Sequence, residues 1–184
     1  MLRKIVRRPY RFIINTLLRI AYGKYITEQP DELTLLKFAF FQKVLGINRS
    51  IPWPVHFTSI VLLWKNINLG KNVTPGSSSG CYIQAANGIT FGANVWIGPN
   101  VVIVSANHDV DDYQKHVKSI PIEIGNNVWI SANSVILPGV KIGSNVIIGA
   151  GSVVNHDIPD NCIAVGNPCV VTREKAPYKG KIYS

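Results

Sequence analysis

Ile124-Gly125-Asn126-Asn127-Val128-Trp129-Ile130-Ser131-Ala132-Asn133-Ser134-Val135-Ile136-Leu137-Pro138-Gly139-Val140-Lys141-Ile142-Gly143 is the stretch that decides the fold. An aliphatic residue opens every sixth position, at Ile124, Ile130, Ile136 and Ile142, and Val128, Ser134 and Val140 hold the fifth place of each unit. The frame continues forward through Ile148-Gly149 and Val154-Asn155. Backward, it reappears at Phe91-Gly92, Ile97-Gly98 and Ile103-Val104, with Val95 and Val101 in the fifth place. A six-residue period of this kind is the signature of a parallel β-helix, in which three hexapeptides form one triangular coil. Coils stack on each other, the aliphatic openers turn inward, and glycine sits where the chain rounds a corner.

Counting in eighteens gives coils at 73–90, 91–108, 124–141 and 142–159, with residues 109–123 as an excursion of 15 residues. After the excursion the frame resumes in register. Trp96 and Trp129 take the same place in equivalent units, and Gly92, Gly125 and Gly143 align at one corner. The start is irregular: Leu69-Gly70 is out of frame with Phe91, and Pro75-Gly76-Ser77-Ser78-Ser79-Gly80 reads as turns. Four coils at about 4.8 Å each stand only about 20 Å tall. So small a core favours association with further chains.

The expected organisation is a basic, mostly helical arm at 1–52, a β-helix at 53–169 with its loop at 109–123, and a basic tail at 170–184. Residues 1–50 carry ten Lys/Arg against three acids, whereas 51–169 carry five against six. The positive charge therefore sits at the ends and the prism is near neutral. A basic end suits an anionic membrane or a phosphorylated cofactor. Nucleic acid is discounted, because no nucleic-acid motif accompanies the charge. Cys81, Cys162 and Cys169 are widely spaced with no CxxC pair, which argues for reduced thiols and against a zinc knuckle.

In the arm, Pro9 suits a helix start. Tyr10, Ile13, Ile14, Leu17, Leu18 and Ala21 then fall on one helical face. A second helix runs from Asp31 as N-cap to Gly46 as stop. Asn15, Thr16 and Arg19 interrupt the first apolar run, so it is neither a signal peptide nor a membrane span. Two readings of the arm stay open: packing on the prism or a neighbour, and peripheral contact with anionic lipid. Ile51-Pro52-Trp53-Pro54 marks the join to the prism.

The coils are poor in reactive side chains, which directs attention to the excursion. Asn107-His108-Asp109 stand at its entrance, where rigid β-structure meets an open loop. On its own, a histidine there reads either as a surface residue or as a general base.

Several segments together change that reading. They are Gly80-Cys81-Tyr82-Ile83-Gln84-Ala85, Val95-Trp96-Ile97-Gly98-Pro99-Asn100-Val101, Ser105-Ala106-Asn107-His108-Asp109, Ile148-Gly149-Ala150-Gly151-Ser152 and Ala164-Val165-Gly166-Asn167-Pro168. With the quoted stretch above, they make residues 68–173 resemble the hexapeptide-repeat acyltransferases, in the branch of maltose, galactoside and nodulation acetyltransferases and their polysaccharide O-acetyltransferase relatives. The resemblance implies a mainly β fold, a left-handed parallel β-helix of about four coils, with a helical arm. It also implies a homotrimer, with acetyl-CoA as co-substrate in the groove between neighbouring prisms and no metal.

By that resemblance His108 is the catalytic base and Trp129 borders the donor or sugar site. Asp109 either orients the imidazole or is a loop carboxylate; Asn107 is a further candidate beside it. Ala132 and Ala150 match cofactor-contacting positions. Asn155-His156 replace the family's Thr-Lys pair, and Val170 replaces a basic residue, which leaves Arg173, Lys175 or Lys179 to meet the CoA phosphates. Ser78 stands for the sugar-site Asn of the galactoside enzymes, so an acceptor other than a galactoside or maltose is expected. The resulting expectation is O-acetylation of a sugar hydroxyl on a cell-surface polysaccharide or its precursor, in the cytoplasm or at the inner membrane face. Amino-sugar N-acetylation is the alternative on the same fold. A non-catalytic scaffold and a zinc enzyme resembling gamma-class carbonic anhydrases are alternatives of other classes. The zinc reading is weak because His56, His108, His116 and His156 lack the required spacing.

Overall fold

The computed structural model describes residues 7–26 and 31–183. Fourteen strands were assigned within them, and three sheets stack as the faces of a prism. The first face contains β1 (Ile60–Leu62), β3 (Tyr82–Gln84), β6 (Val102–Val104), β9 (Val135–Ile136) and β12 (Val153–Val154). The second contains β2 (Ile67–Leu69), β4 (Ile89–Phe91), β7 (Ile122–Ile124) and β10 (Lys141–Ile142). The third contains β5 (Trp96–Ile97), β8 (Trp129–Ile130), β11 (Ile147–Ile148) and β13 (Cys162–Val165), closed by β14 (Val170–Glu174). Successive coils pair in parallel, and β14 alone runs antiparallel to its neighbour β13.

The openers Ile103, Ile124, Ile130, Ile136, Ile142, Ile148 and Val154 are all buried, as are the fifth-place residues Val128, Ser134, Val140, Val146 and Ser152. Each fully buried Ile or Val contributes about 1.5–3 kcal/mol over leaving it in water. Both of these serines are satisfied: Ser134 Oγ shares its proton between Ser131 O and Gly149 O, and Ser152 Oγ donates to Gly149 O.

The prism begins one coil earlier than the six-residue beat indicates. Leu69 pairs with Phe91, and Gly70 lies against Gly92, at the same corner as Gly125 and Gly143. Leu69 and Phe91 are 22 residues apart because the turns at 75–80 lengthen the coil, which is why they fall out of an 18-residue frame.

A second corner device is asparagine. Asn72, Asn94, Asn100, Asn127, Asn133, Asn145 and Asn161 all adopt left-handed φ of 55–60°. Asn tolerates this region better than other residues with a Cβ. Asn72 Nδ2 donates to Asn94 Oδ1 (3.2 Å), Asn94 Nδ2 to Asn127 Oδ1 (2.9 Å), and Asn145 Nδ2 to Asn161 Oδ1 (2.7 Å). The side chains thus form ladders between coils.

The arm contains α1 (Arg7–Tyr22) and α2 (Glu32–Ala39), and α2 widens into a π turn at Phe40–Val44. Asp31 caps α2: its Oδ1 accepts from Leu33 N (3.0 Å) and Thr34 N (3.3 Å). Gly46, at φ +81°, ends the helical run. Leu18 and Tyr22 pack on Leu35 and Phe38. The apolar face expected on α1 is divided: Ile13 and Leu17 are exposed, beside Phe12 and Ile20, while Ile14, Leu18 and Ala21 turn toward α2. Tyr10's side chain and residues 1–6 lie outside what is described.

Gln42 joins the arm to the prism. Its buried amide accepts from Tyr22 Oη (2.8 Å) and Val55 N (3.0 Å), and donates to Trp53 O (3.1 Å) and Asn48 O (3.3 Å). A buried amide with every such group satisfied specifies one docking geometry.

Candidate active site

The three corners of the prism separate the candidate residues. His108 follows β6 at the corner leading to the second face, and Asn107 and Asp109 flank it. Asn155 and His156 follow β12 at the same corner, higher in the stack. Ala132 and Ala150 occupy the corner between the third and first faces, one coil apart, and Ser78 belongs to that corner too. Trp129 and Arg173 lie on the third face. Within one chain, therefore, His108 and the Ala132–Ala150 column stand at opposite edges of the first face. A three-residue strand spans about 10 Å.

The loop is tied at its base. Asp109 N donates to Lys115 O (2.9 Å), and Val117 N donates to Asn107 O (2.9 Å), which pairs His108 with His116 as an antiparallel bridge. Asn87, from the coil below, donates Nδ2 to both limbs, to Ser105 O (2.8 Å) and Val117 O (3.0 Å). His108 is exposed on this foundation.

Asp109 Oδ1 accepts from Asp111 N (2.8 Å) and Asp112 N (3.2 Å). That oxygen shapes the loop turn and is not directed at the imidazole. The ring packed against His108 is His116, at 4.5 Å between centroids and 38° between planes. The periodic pattern gave no sign of this contact, although the even spacing of two histidines across a short loop was a usable signal.

Trp129 pairs directly with Trp96, and both rings are exposed. Ser78 is half-buried, and its Oγ donates to Ile97 O (2.5 Å), so the hydroxyl is engaged between coils. Asn155 Oδ1 bonds to its neighbour His156 Nδ1 (2.8 Å). Ala132 O accepts from Gly151 N (2.9 Å), and Gly151 has open space where a Cβ would project. Of the basic candidates for phosphate, Arg173 is exposed, whereas Lys175 donates to Asn145 Oδ1 and lies over the Tyr178 ring. Among the described residues no group of three metal-ligating side chains comes together.

The outer surfaces of the faces differ. The second face presents Asn68, Thr90, Glu123 and Lys141, the last two paired at 3.4 Å. The first presents Ile60, Leu62, Tyr82, Val102, Val104, Val135 and Val153 across five strands, an apolar surface interrupted by Gln84 between Leu62 and Val104. A cavity of about 790 Å³ opens at the base of the prism among Tyr25, Trp53, Trp64 and Tyr183, and His108 does not line it.

Residues 121–156 match the family described as bacterial transferase hexapeptide (six repeats). Over 151 residues the chain is 42% identical to a galactoside O-acetyltransferase of Escherichia coli (strain K12), covering 80% of this chain and 70% of that protein. The chain belongs to the hexapeptide-repeat acyltransferases. A solved galactoside acetyltransferase in complex with coenzyme A is 31% identical, with a TM-score of 0.59 over 94% of this chain and 86% of that one. A maltose O-acetyltransferase from Clostridium difficile 630 is 30% identical, with a TM-score of 0.59 over 91% and 87%. This hexapeptide-repeat enzyme is accordingly a left-handed β-helix and an acetyl-CoA-dependent acyltransferase.

Proposed function

We propose that this acyltransferase O-acetylates a sugar hydroxyl of a cell-surface polysaccharide or its precursor, with His108 as general base. The observation that carries the reading is His108 itself: an exposed imidazole, seated on a loop base clamped by Asn87, in a coil stack otherwise poor in reactive groups. Sugar acceptors are consistent with the relatives named above.

When bound, acetyl-CoA supplies the acetyl group as a thioester. The His108 imidazole, in its neutral form, takes the hydroxyl proton as the sugar oxygen attacks, and returns that proton to the leaving sulfur. A positioned base of this kind contributes roughly 10² to 10⁴ in rate. Ala132 and Ala150 would hold the pantetheine arm against the backbone, Trp129 would border the donor or acceptor, and Arg173 would meet phosphate. With Ala132 and Ala150 across the first face from His108, a donor held on that column and the base would stand at opposite edges of one chain. A homotrimer that uses the cofactor column of one chain and the His108 of its neighbour resolves this. The outer surface of the first face, apolar apart from Gln84, supports such packing.

The arm supports a membrane-proximal acceptor. Phe12 and Ile20 are 75% and 78% exposed, with Ile13 and Leu17 beside them and Arg11, Arg19 and Lys24 on the same element or its end. No helix of the described residues is long and apolar enough to cross a membrane, so this contact would be peripheral. Labelled acetyl-CoA with a panel of sugars, lipid-linked glycans and amino sugars tests the acceptor class. Transfer to hydroxyl acceptors is expected; exclusive transfer to amino groups would contradict the proposal. Co-sedimentation with anionic vesicles, with and without residues 1–24, tests the arm. Equal binding by both would remove the membrane role.

A further inference from the structure

We propose that His116 is a positioning residue for the acyl transfer, holding the His108 ring in its working orientation by direct ring contact. This rests on the reading of His108 as base.

A general base has to keep one ring nitrogen within hydrogen-bond reach of the hydroxyl it deprotonates. Enzymes commonly fix such a ring with a carboxylate that bonds its other nitrogen. Here the neighbouring carboxylate, Asp109, gives its Oδ1 to the N–H groups of Asp111 and Asp112. What lies against His108 is the ring of His116, 4.5 Å away with a 38° tilt.

The contact follows from backbone geometry. The bonds Asp109 N to Lys115 O and Val117 N to Asn107 O flank the two histidines, which makes them a non-hydrogen-bonded antiparallel pair. Side chains approach each other most closely at such pairs. The returning limb is fixed in turn, because Asn87 Nδ2 donates to Val117 O. His116 is thereby referenced to the coil below. Among the described residues no hydrogen bond engages the His108 ring, so the contact with His116 leaves its nitrogens available to a substrate proton. Aromatic contact at this separation favours the paired arrangement by about threefold to tenfold. The same factor is the expected loss in kcat when the second ring is removed.

The test compares wild type, His116→Ala, His116→Phe and His108→Ala in labelled-acetyl-CoA transfer, using the panel acceptor that the wild type turns over fastest. His116→Ala is expected to lower kcat about threefold to tenfold, with KM for acetyl-CoA within about twofold. His116→Phe restores a flat ring without a proton-carrying nitrogen, and is expected to return kcat to within about twofold of wild type. A merely structural disturbance of the loop would not be rescued in this selective way. Wild-type kcat in His116→Ala, with His108→Ala inactive, would overturn this inference and leave the base assignment standing. A Phe variant no better than the Ala variant would also overturn it. An active His108→Ala would instead remove the base assignment beneath it.

Discussion

Gly125→Ala should destabilise the enzyme sharply, although Gly125 does not have positive φ. The reason is contact. A Cβ built there lies 2.7 Å from both Gly143 C and Ser144 N, and 2.6 Å from Ser144 Oγ. Ordinary contact begins near 3.4 Å, so the two coils would have to separate by about 0.7 Å (3.4 minus 2.7) at this corner. The Gly125 N to Ile142 O bond, now 2.8 Å, and the Asn126 N to Ser144 Oγ bond, now 3.0 Å, would both stretch past useful length. Each hydrogen bond contributes about 1 kcal/mol net, and overpacking of a rigid site costs about 1–3 kcal/mol. A loss of about 3–5 kcal/mol is expected, or about 6–20 °C in Tm at this chain length. Calorimetry at fixed protein concentration measures it. Gly151→Ala is the control: nothing lies within 4 Å of its Cβ, so it bears only the cost of φ +71°, about 1–2 kcal/mol. If Gly125→Ala fell no further than Gly151→Ala, the argument from close stacking would be wrong.

Other outcomes follow from the same structure. Mixing His108→Ala with Ala150→Trp chains, each inactive alone, should restore part of the activity by forming mixed sites between chains; no recovery after subunit exchange would contradict the shared site. Cys81, Cys162 and Cys169 are buried, and burial raises each thiol above its usual range. An aromatic disulfide reagent at pH 8 should therefore label them only after denaturation, and fast labelling of the native protein would refute this. Asp31 is held below the usual carboxylate range by hydrogen bonds from Thr34 and Leu33. A folded pKa below the unfolded one means that the cap stabilises above the unfolded value, and that this is lost as pH falls through the folded one. Hydrogen exchange in α2 should accelerate in that acidic window for wild type, and Asp31→Ala should lack the step.

Much of the prism was legible because its determinants repeat. Ile124, Ile130, Ile136 and Ile142 each meet the same inward requirement, and the Trp96–Trp129 pairing follows from frame alone. The first coil was obscured because turns at 75–80 break the count while leaving Leu69 beside Phe91. The asparagine ladder carried a signal that passed unread: Asn immediately precedes the fifth-place residue at Asn94, Asn100, Asn127, Asn133 and Asn145. The placement of His108 at the entrance to the loop was legible from the coil frame. The His116 ring and the engagement of Asp109, Ser78 and Lys175 were not, because each depends on pairing across a loop or between coils. The arm's outer apolar face was hidden by a helical stripe wide enough to serve two surfaces.

The most direct test of the account is the transfer rate of His108→Ala, measured alongside its acetyl-CoA affinity. His108 is exposed at the rim of a coil and contributes nothing to the buried core, so affinity and assembly should match wild type. Transfer should fall by roughly 10² or more, the contribution of a positioned base. A variant that binds acetyl-CoA normally and keeps more than about a tenth of the wild-type rate would contradict the assignment of His108 as the general base.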